Sequence, residues 1–119
     1  MSLTVNSRTE NEISILELEG SLTLGPTLHR LRDAVRQSLA ETRPRGVVLE
    51  ASKLVTADSA GLGELTVVYT LASRQGCRVA LSGAAQNLLT MLEVTHLDEL
   101  LPAAGDIGGA IALVANTTK

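Results

Sequence analysis

The stretch Asp58-Ser59-Ala60-Gly61-Leu62-Gly63 decides how this chain is read. Before it come Val47-Val48-Leu49, a continuous aliphatic run of the kind buried on both faces of a sheet, and a polar connector from Glu50 to Asp58. After it, Leu62, Leu65, Tyr69 and Ala72 recur at helical spacing as far as Arg74-Gln75-Gly76, where Gly76 suits a left-handed C-terminal cap. The stretch is therefore a helix N-terminus fed by a buried strand. Asp58 or Ser59 can cap it, because a short side-chain oxygen accepts a hydrogen bond from an otherwise unpaired N–H. Glycine inside a helix costs roughly 1 kcal/mol against alanine, so Gly61 and Gly63 need a reason. Glycines let another backbone or a phosphate come close, and a phosphate on Ser59 would meet the positive end of the helix dipole. A capped helix packed tightly on its sheet satisfies the same residues, and the spacing leaves both readings open.

Upstream, residues 3–8 alternate weakly, Glu10-Asn11-Glu12 is turn-like, and Ile13, Ile15, Leu16 and Leu18 form a better strand closed by Gly20, which together predict a hairpin. Gly25-Pro26-Thr27 opens a helix over 26–41, with Leu28, Leu31, Val35 and Leu39 as its apolar stripe. Arg43-Pro44-Arg45-Gly46 turns the chain into the buried run. Downstream, Val79-Ala80-Leu81 is a short strand stopped by Ser82-Gly83, and Leu88, Leu89 and Leu92 mark a third helix with Met91 at its edge. Leu100-Leu101 is expected as a last short strand and Gly108 to Ala115 as a C-terminal helix. Strands and helices alternating at this tempo predict an α/β layer on a mixed sheet, in a single domain over residues 1–119 without repeats or linkers.

Asp58-Ser59-Ala60-Gly61-Leu62-Gly63 resembles the Asp-Ser-(Ser/Thr)-Gly-Leu-Gly motif of bacterial anti-sigma factor antagonists, members of the STAS domain family. Around it, Gly20-Ser21-Leu22-Thr23 is similar to that family's Gly-Glu-(Leu/Ile)-Asp turn, Gly46 to Leu54 to the strand before the motif, Gly76 to Leu81 to the strand after it, and Leu88 to Leu97 to a later helix end. The resemblance implies a STAS fold: a single mixed β-sheet of four to five strands with about four helices packed mainly on one face. It also implies a switch. An anti-sigma factor serine kinase phosphorylates the serine after the motif aspartate, here Ser59; unphosphorylated antagonist binds that kinase and frees a sigma factor, and a serine phosphatase resets the system. Asp58, Ala60, Gly61, Leu62, Gly63 and Thr23 are the partner-binding positions that follow from the resemblance. Two departures matter: Thr23 and Ser21 stand where the family carries acidic residues, and Ala60 leaves Ser59 as the motif's lone hydroxyl. Thr23 and Ser21 keep open a second reading, a non-switching STAS scaffold or the STAS subunit of a lipid-transport ATPase complex, in which Ser59 would be merely a helix cap.

Bulk properties narrow the rest. Tyr69 is the sole aromatic side chain, so the core is aliphatic. A net charge of -3 offers no footprint for nucleic acid, and the lack of aromatics removes stacking platforms. No apolar run approaches the length of a membrane span and the N-terminus does not read as a signal peptide, which predicts a cytoplasmic protein without membrane insertion. Cys77 reads as a small buried hydrophobe beside Val79 and Leu81. His29 and His96 lack partners at metal spacing, and no Gly-x-x-x-x-Gly-Lys loop is present, so neither a cofactor nor an enzymatic activity of its own is expected. Arg30, Arg32, Arg36, Arg43 and Arg45 cluster on and after the first helix, as a solvated face or a docking patch.

Overall fold

Alternation and turn chemistry set the first two strands. In the computed structural model, which describes residues 2–115, β1 (Leu3–Glu10) and β2 (Ile13–Leu22) pair antiparallel in an unbroken register from Leu3↔Gly20 to Glu10↔Ile13. The turn between them uses Asn11 and Glu12 at φ 53 and 67, the left-handed pair that matches the twist of a two-residue hairpin. Next come α1 (Arg30–Thr42), β3 (Gly46–Ala57), α2 (Ser59–Ser73), β4 (Arg78–Ser82), α3 (Gln86–Val94), a short 3-10 turn at Leu97–Glu99, β5 (Ala103–Ala104) and α4 (Ile107–Ala115). The sheet order is β1-β2-β3-β4-β5, with every pair after the hairpin parallel.

The central stretches of β2, β3 and β4 are buried from both sides, whereas β1 is largely exposed beyond Leu3. Leu16, Leu18, Val47, Leu49, Val79 and Leu81 face a large core with Leu31, Val35 and Leu39 of α1, Leu62, Leu65 and Val68 of α2, and Leu88 and Leu92 of α3. Ile13, Ile15, Val48 and Ala80 face a smaller cluster closed by Ala110 and Val114 of α4. Three helices thus cover one face and α4 covers part of the other, the mixed five-stranded arrangement expected from the sequence.

Several boundaries differ from expectation. Gly20 does not close β2: the strand runs on to Leu22, and its pairing with β3 slips between Glu17 and Glu19 and again between Gly20 and Ser21. The polar connector from residue 50 is strand instead, since β3 continues to Ala57 paired with β2 alone, beyond the last β4 pair at Glu50↔Ser82. The first helix starts at Arg30 rather than at residue 26, and Arg43, at φ 45, ends it. Gly76 (φ 74) takes the left-handed position after α2, where the Cys77 N–H reaches the Ala72 carbonyl at 2.9 Å. The last strand lies at Ala103–Ala104; Leu101 is buried in the large core instead of forming it.

Candidate functional site

The N-terminus of α2 emerges where β2 and β3 end side by side, with Leu22 paired to Ala57. Asp58 has extended backbone (φ -127, ψ -173) and is the cap. Its Oδ1 accepts from the Gly61 N–H at 2.9 Å, and its Oδ2 accepts from the Leu24 N–H at 3.1 Å. One carboxylate therefore closes the helix start and ties down the loop leaving β2. The Leu24 and Gly61 amide bonds hold its carboxyl below the ordinary aspartate range, so it stays ionised.

Because Asp58 takes the capping role, the first helical residue does not. Ser59 is exposed, at the positive end of a helix that runs from Ser59 to Ser73. The two motif glycines separate physically. A Cβ on Gly61 would lie 2.0 Å from the Leu22 carbonyl oxygen, so this glycine lets α2 sit directly against the end of β2. Gly63 is exposed, and a Cβ there would meet nothing within 4 Å. Leu62 is 7% exposed and belongs to the large core, so it anchors the helix rather than offering a contact surface. Ala60 and Thr23 are half-buried beside the cap. Around this turn Leu24 is 79% and Val55 68% exposed; Val55 falls at the second slip of the β2–β3 register, between the paired residues Leu54 and Thr56.

A residue that sequence reasoning passed over supports the turn from beneath. Glu64 is 2% exposed, and its carboxylate meets Arg32 through Nη2 to Oε1 at 2.7 Å and Nε to Oε2 at 2.9 Å. It also accepts from the Arg32 backbone N–H at 3.2 Å and lies 3.3 Å from His29 Nδ1. His29 offers no side-chain cap to α1, so Glu64, from a different helix, fills that role. Burial pushes the Glu64 carboxyl up, but the Arg32 and His29 bonds outweigh it and hold the group low. The signal available in sequence was a lone acidic residue on the apolar side of a helix whose neighbours Leu62 and Leu65 are core.

Arg30, Arg32, Arg36 and Arg45 each have their own neighbour, and Arg45 Nη2 reaches the Ala115 carbonyl at 3.5 Å. Arg30 donates to the Leu3 carbonyl at 3.0 Å, Arg32 is bound by Glu64, Arg36 lies 3.9 Å from Asp33, and Arg43 is the left-handed end of α1. Cys77 is buried, and burial pushes its thiol up. His96 lies 3.5 Å from Glu99 at the surface, far in sequence from His29 and its Glu64 partner. Among the described residues, no helix is long and apolar enough to cross a membrane.

A mixed sheet whose α2 begins on an aspartate cap, an exposed serine and two glycines defines a STAS domain. Residues 5–102 match the family model described as "Mlab, STAS domain", and the chain belongs to the STAS family. Among solved structures it is similar to an anti-sigma factor antagonist from Mycobacterium paratuberculosis, at 18% identity over 97% of this chain and 96% of that one, with a TM-score of 0.79. A sulfate transporter family protein from Wolinella succinogenes matches at 20% identity over 89% and 87% of the two chains, TM-score 0.71. The Bacillus cell fate determinant SpoIIAA in its phosphorylated form matches at 12% identity over 94% and 99%, TM-score 0.69. At these identities the likeness establishes a shared fold.

Proposed function

We propose that this protein is a cytoplasmic anti-sigma factor antagonist, a docking module without catalysis of its own, whose binding to an anti-sigma factor serine kinase is ended by phosphorylation of Ser59. One observation carries the reading: both oxygens of Asp58 are committed to Gly61 and Leu24, which leaves the Ser59 side chain outward at the helix start. In the reaction, Ser59 Oγ bonds to the γ-phosphorus of ATP, the bond from that phosphorus to the β–γ bridging oxygen breaks, ADP leaves, and the serine proton passes to a base of the kinase. The product carries about -1.5 to -2 charges beside the ionised Asp58, enough to expel the turn from an interface it fitted when neutral. A serine phosphatase reverses the change by hydrolysis. The structural relatives described as anti-sigma factor antagonists support this role.

A second reading, the STAS subunit of a lipid-transport ATPase complex, is favoured by the description of the matching family model and by Thr23 at the place of the acidic residue. It no longer needs Ser59 as the helix cap, since Asp58 fills that position. The test is to incubate the purified chain with ATP and each anti-sigma factor serine kinase encoded in the same genome, then locate phosphate by peptide mass spectrometry. A single phosphate on Ser59, with Ser59→Asp losing kinase binding and Ser59→Ala keeping it, is the expected result. If no kinase that modifies its own antagonist modifies Ser59, the switch is wrong and the transport reading takes its place.

A further inference from the structure

Among the described residues β1 is an edge strand, paired with β2 on one side and with no strand on the other. In an antiparallel pair, successive residues turn their N–H and C=O alternately toward the partner strand and away from it. Three bonds set the phase. The Ser2 carbonyl accepts from the Ser21 N–H of β2 at 3.1 Å, whereas Leu3 turns outward: its N–H donates to Thr27 Oγ1 at 2.9 Å and its carbonyl accepts from Arg30 Nη1 at 3.0 Å. The chain thus covers its own edge at Leu3. Val5, Ser7 and Thr9 share the outward phase, and among the described residues no group bonds their outer N–H and C=O. These bare groups border a groove between β1 and α1. One part is a cleft of about 320 Å³, lined among others by Ser7, Thr9, Ser14, Gln37, Ser38 and Glu41. A second cleft of about 310 Å³ continues it toward Arg30 and Asp33, with Val5, Ala34 and Gln37 lining both. In the first, the buried Ser14 and Ser38 hydroxyls bond each other. Its arginine, Arg8, is already paired with Glu10 and Glu17, while the Glu41 carboxylate takes the Gln37 amide at 3.1 Å and, among the described residues, no cation.

From the bare edge and this uncompensated carboxylate we infer that the β1–α1 groove takes an extended segment of a partner protein as a further strand beside β1, with a lysine or arginine of that segment at Glu41. Donors and acceptors repeating at every second residue match another extended backbone in spacing and direction. Main-chain bonds to Val5, Ser7 and Thr9 supply the affinity, and the side chain entering the cleft supplies the choice of sequence. A cationic side chain finds there the Glu41 carboxylate and the hydroxyls of Ser7 and Thr9, all acceptors. None of the residues lining the groove belongs to the turn around Asp58 and Ser59, so the inference stands apart from the kinase reading.

The probes are two blocked hexapeptides, acetyl-Val-Lys-Val-Lys-Val-Lys-amide and its counterpart with glutamate for lysine. Each is titrated into the full chain, with binding followed by amide chemical shifts and hydrogen exchange. The lysine peptide should bind with a Kd of about 0.1–1 mM. At saturation it should slow exchange at Val5, Ser7 and Thr9 by about tenfold, leaving Asn6 and Arg8, already bonded to β2, unchanged. Glu41→Lys should weaken the lysine peptide by about threefold to tenfold. Ser7→Pro removes an N–H that carries no ladder bond, so the variant should fold and lose binding; should it not fold, Glu41→Lys decides alone. No binding of the lysine peptide, equal binding of the glutamate peptide, or protection confined to other residues overturns the inference. Protection of Val5, Ser7 and Thr9 that grows with protein concentration in the absence of peptide would assign the edge to a second copy of the chain and overturn it as well.

Discussion

Arg32 and Glu64 join the first two helices through a two-pronged ion pair whose carboxylate is almost wholly out of water while the guanidinium keeps partial contact with it, at 1% and 28% side-chain exposure. The same carboxylate takes the Arg32 backbone N–H, so it also fixes where α1 begins. The asymmetry of exposure yields an ordering. Arg32→Met strands a buried charge, whereas Glu64→Gln removes that charge and leaves an arginine able to reach solvent. Glu64→Gln should cost about 1–3 kcal/mol, Arg32→Met more than Glu64→Gln, and the double substitution less than Arg32→Met alone. Urea denaturation of the three variants checks the order, and the idea fails if Glu64→Gln proves the worst.

Acid should unfold the protein through this carboxylate. Burial works against ionised Glu64, but its bonds to Arg32 and His29 leave its folded pKa below the unfolded value, and the Leu24 and Gly61 amides do the same for Asp58. Groups lowered by folding contribute stability that is complete above the unfolded carboxylate range, about pH 4, and is lost as pH falls through the folded values. Melting temperatures between pH 7 and pH 2 should therefore decline below about pH 4–5. Glu64→Gln should show a shallower acid limb, and an unchanged limb would remove Glu64 from the account.

Gly61→Ala sets a methyl group 2.0 Å from the Leu22 carbonyl oxygen, a backbone atom that cannot swing aside. The variant should lose about 1–3 kcal/mol or fail to fold. Equilibrium denaturation decides this, and wild-type stability would mean that α2 shifts on the sheet more freely than its packing implies.

Asp58→Ala should free two amides at once. Hydrogen exchange at Leu24 and Gly61 should accelerate together, while amides in the middle of α2 keep their protection. Asp58→Asn, which keeps an acceptor oxygen, should protect Gly61 better than Leu24. Acceleration at Gly61 alone would show that the loop after β2 is held by other contacts.

Legibility in the sequence followed the reach of each interaction. The hairpin, the Val47–Leu49 strand and α2 are set by local alternation, spacing and turn residues, and all were readable. The continuation of β3 to Ala57 was not, because that stretch pairs only with β2 and slips of register break its alternation. The start of α1 was misplaced at Pro26 because the group that caps it, Glu64, lies on another helix. Leu100-Leu101 looked like a strand because it is apolar, yet Leu101 fills the core while the short Ala103–Ala104 segment carries the pairing. At the site, the motif located the helix start, but only geometry could assign the cap to Asp58 and part the two glycines.

Among the described residues the two hydrophobic clusters are separated by the strands, the larger lying under α1, α2 and α3 and the smaller under α4. A change at Ala110 or Val114 is felt first at Ile13, Ile15, Val48 and Ala80, on the side of the sheet away from Ser59. The back of the molecule can thus drift in sequence, or acquire a new surface, without redrawing the front. Such a partition suits a module reused in unlike assemblies, since one side can be held to an old partner while the other is fitted to a new one.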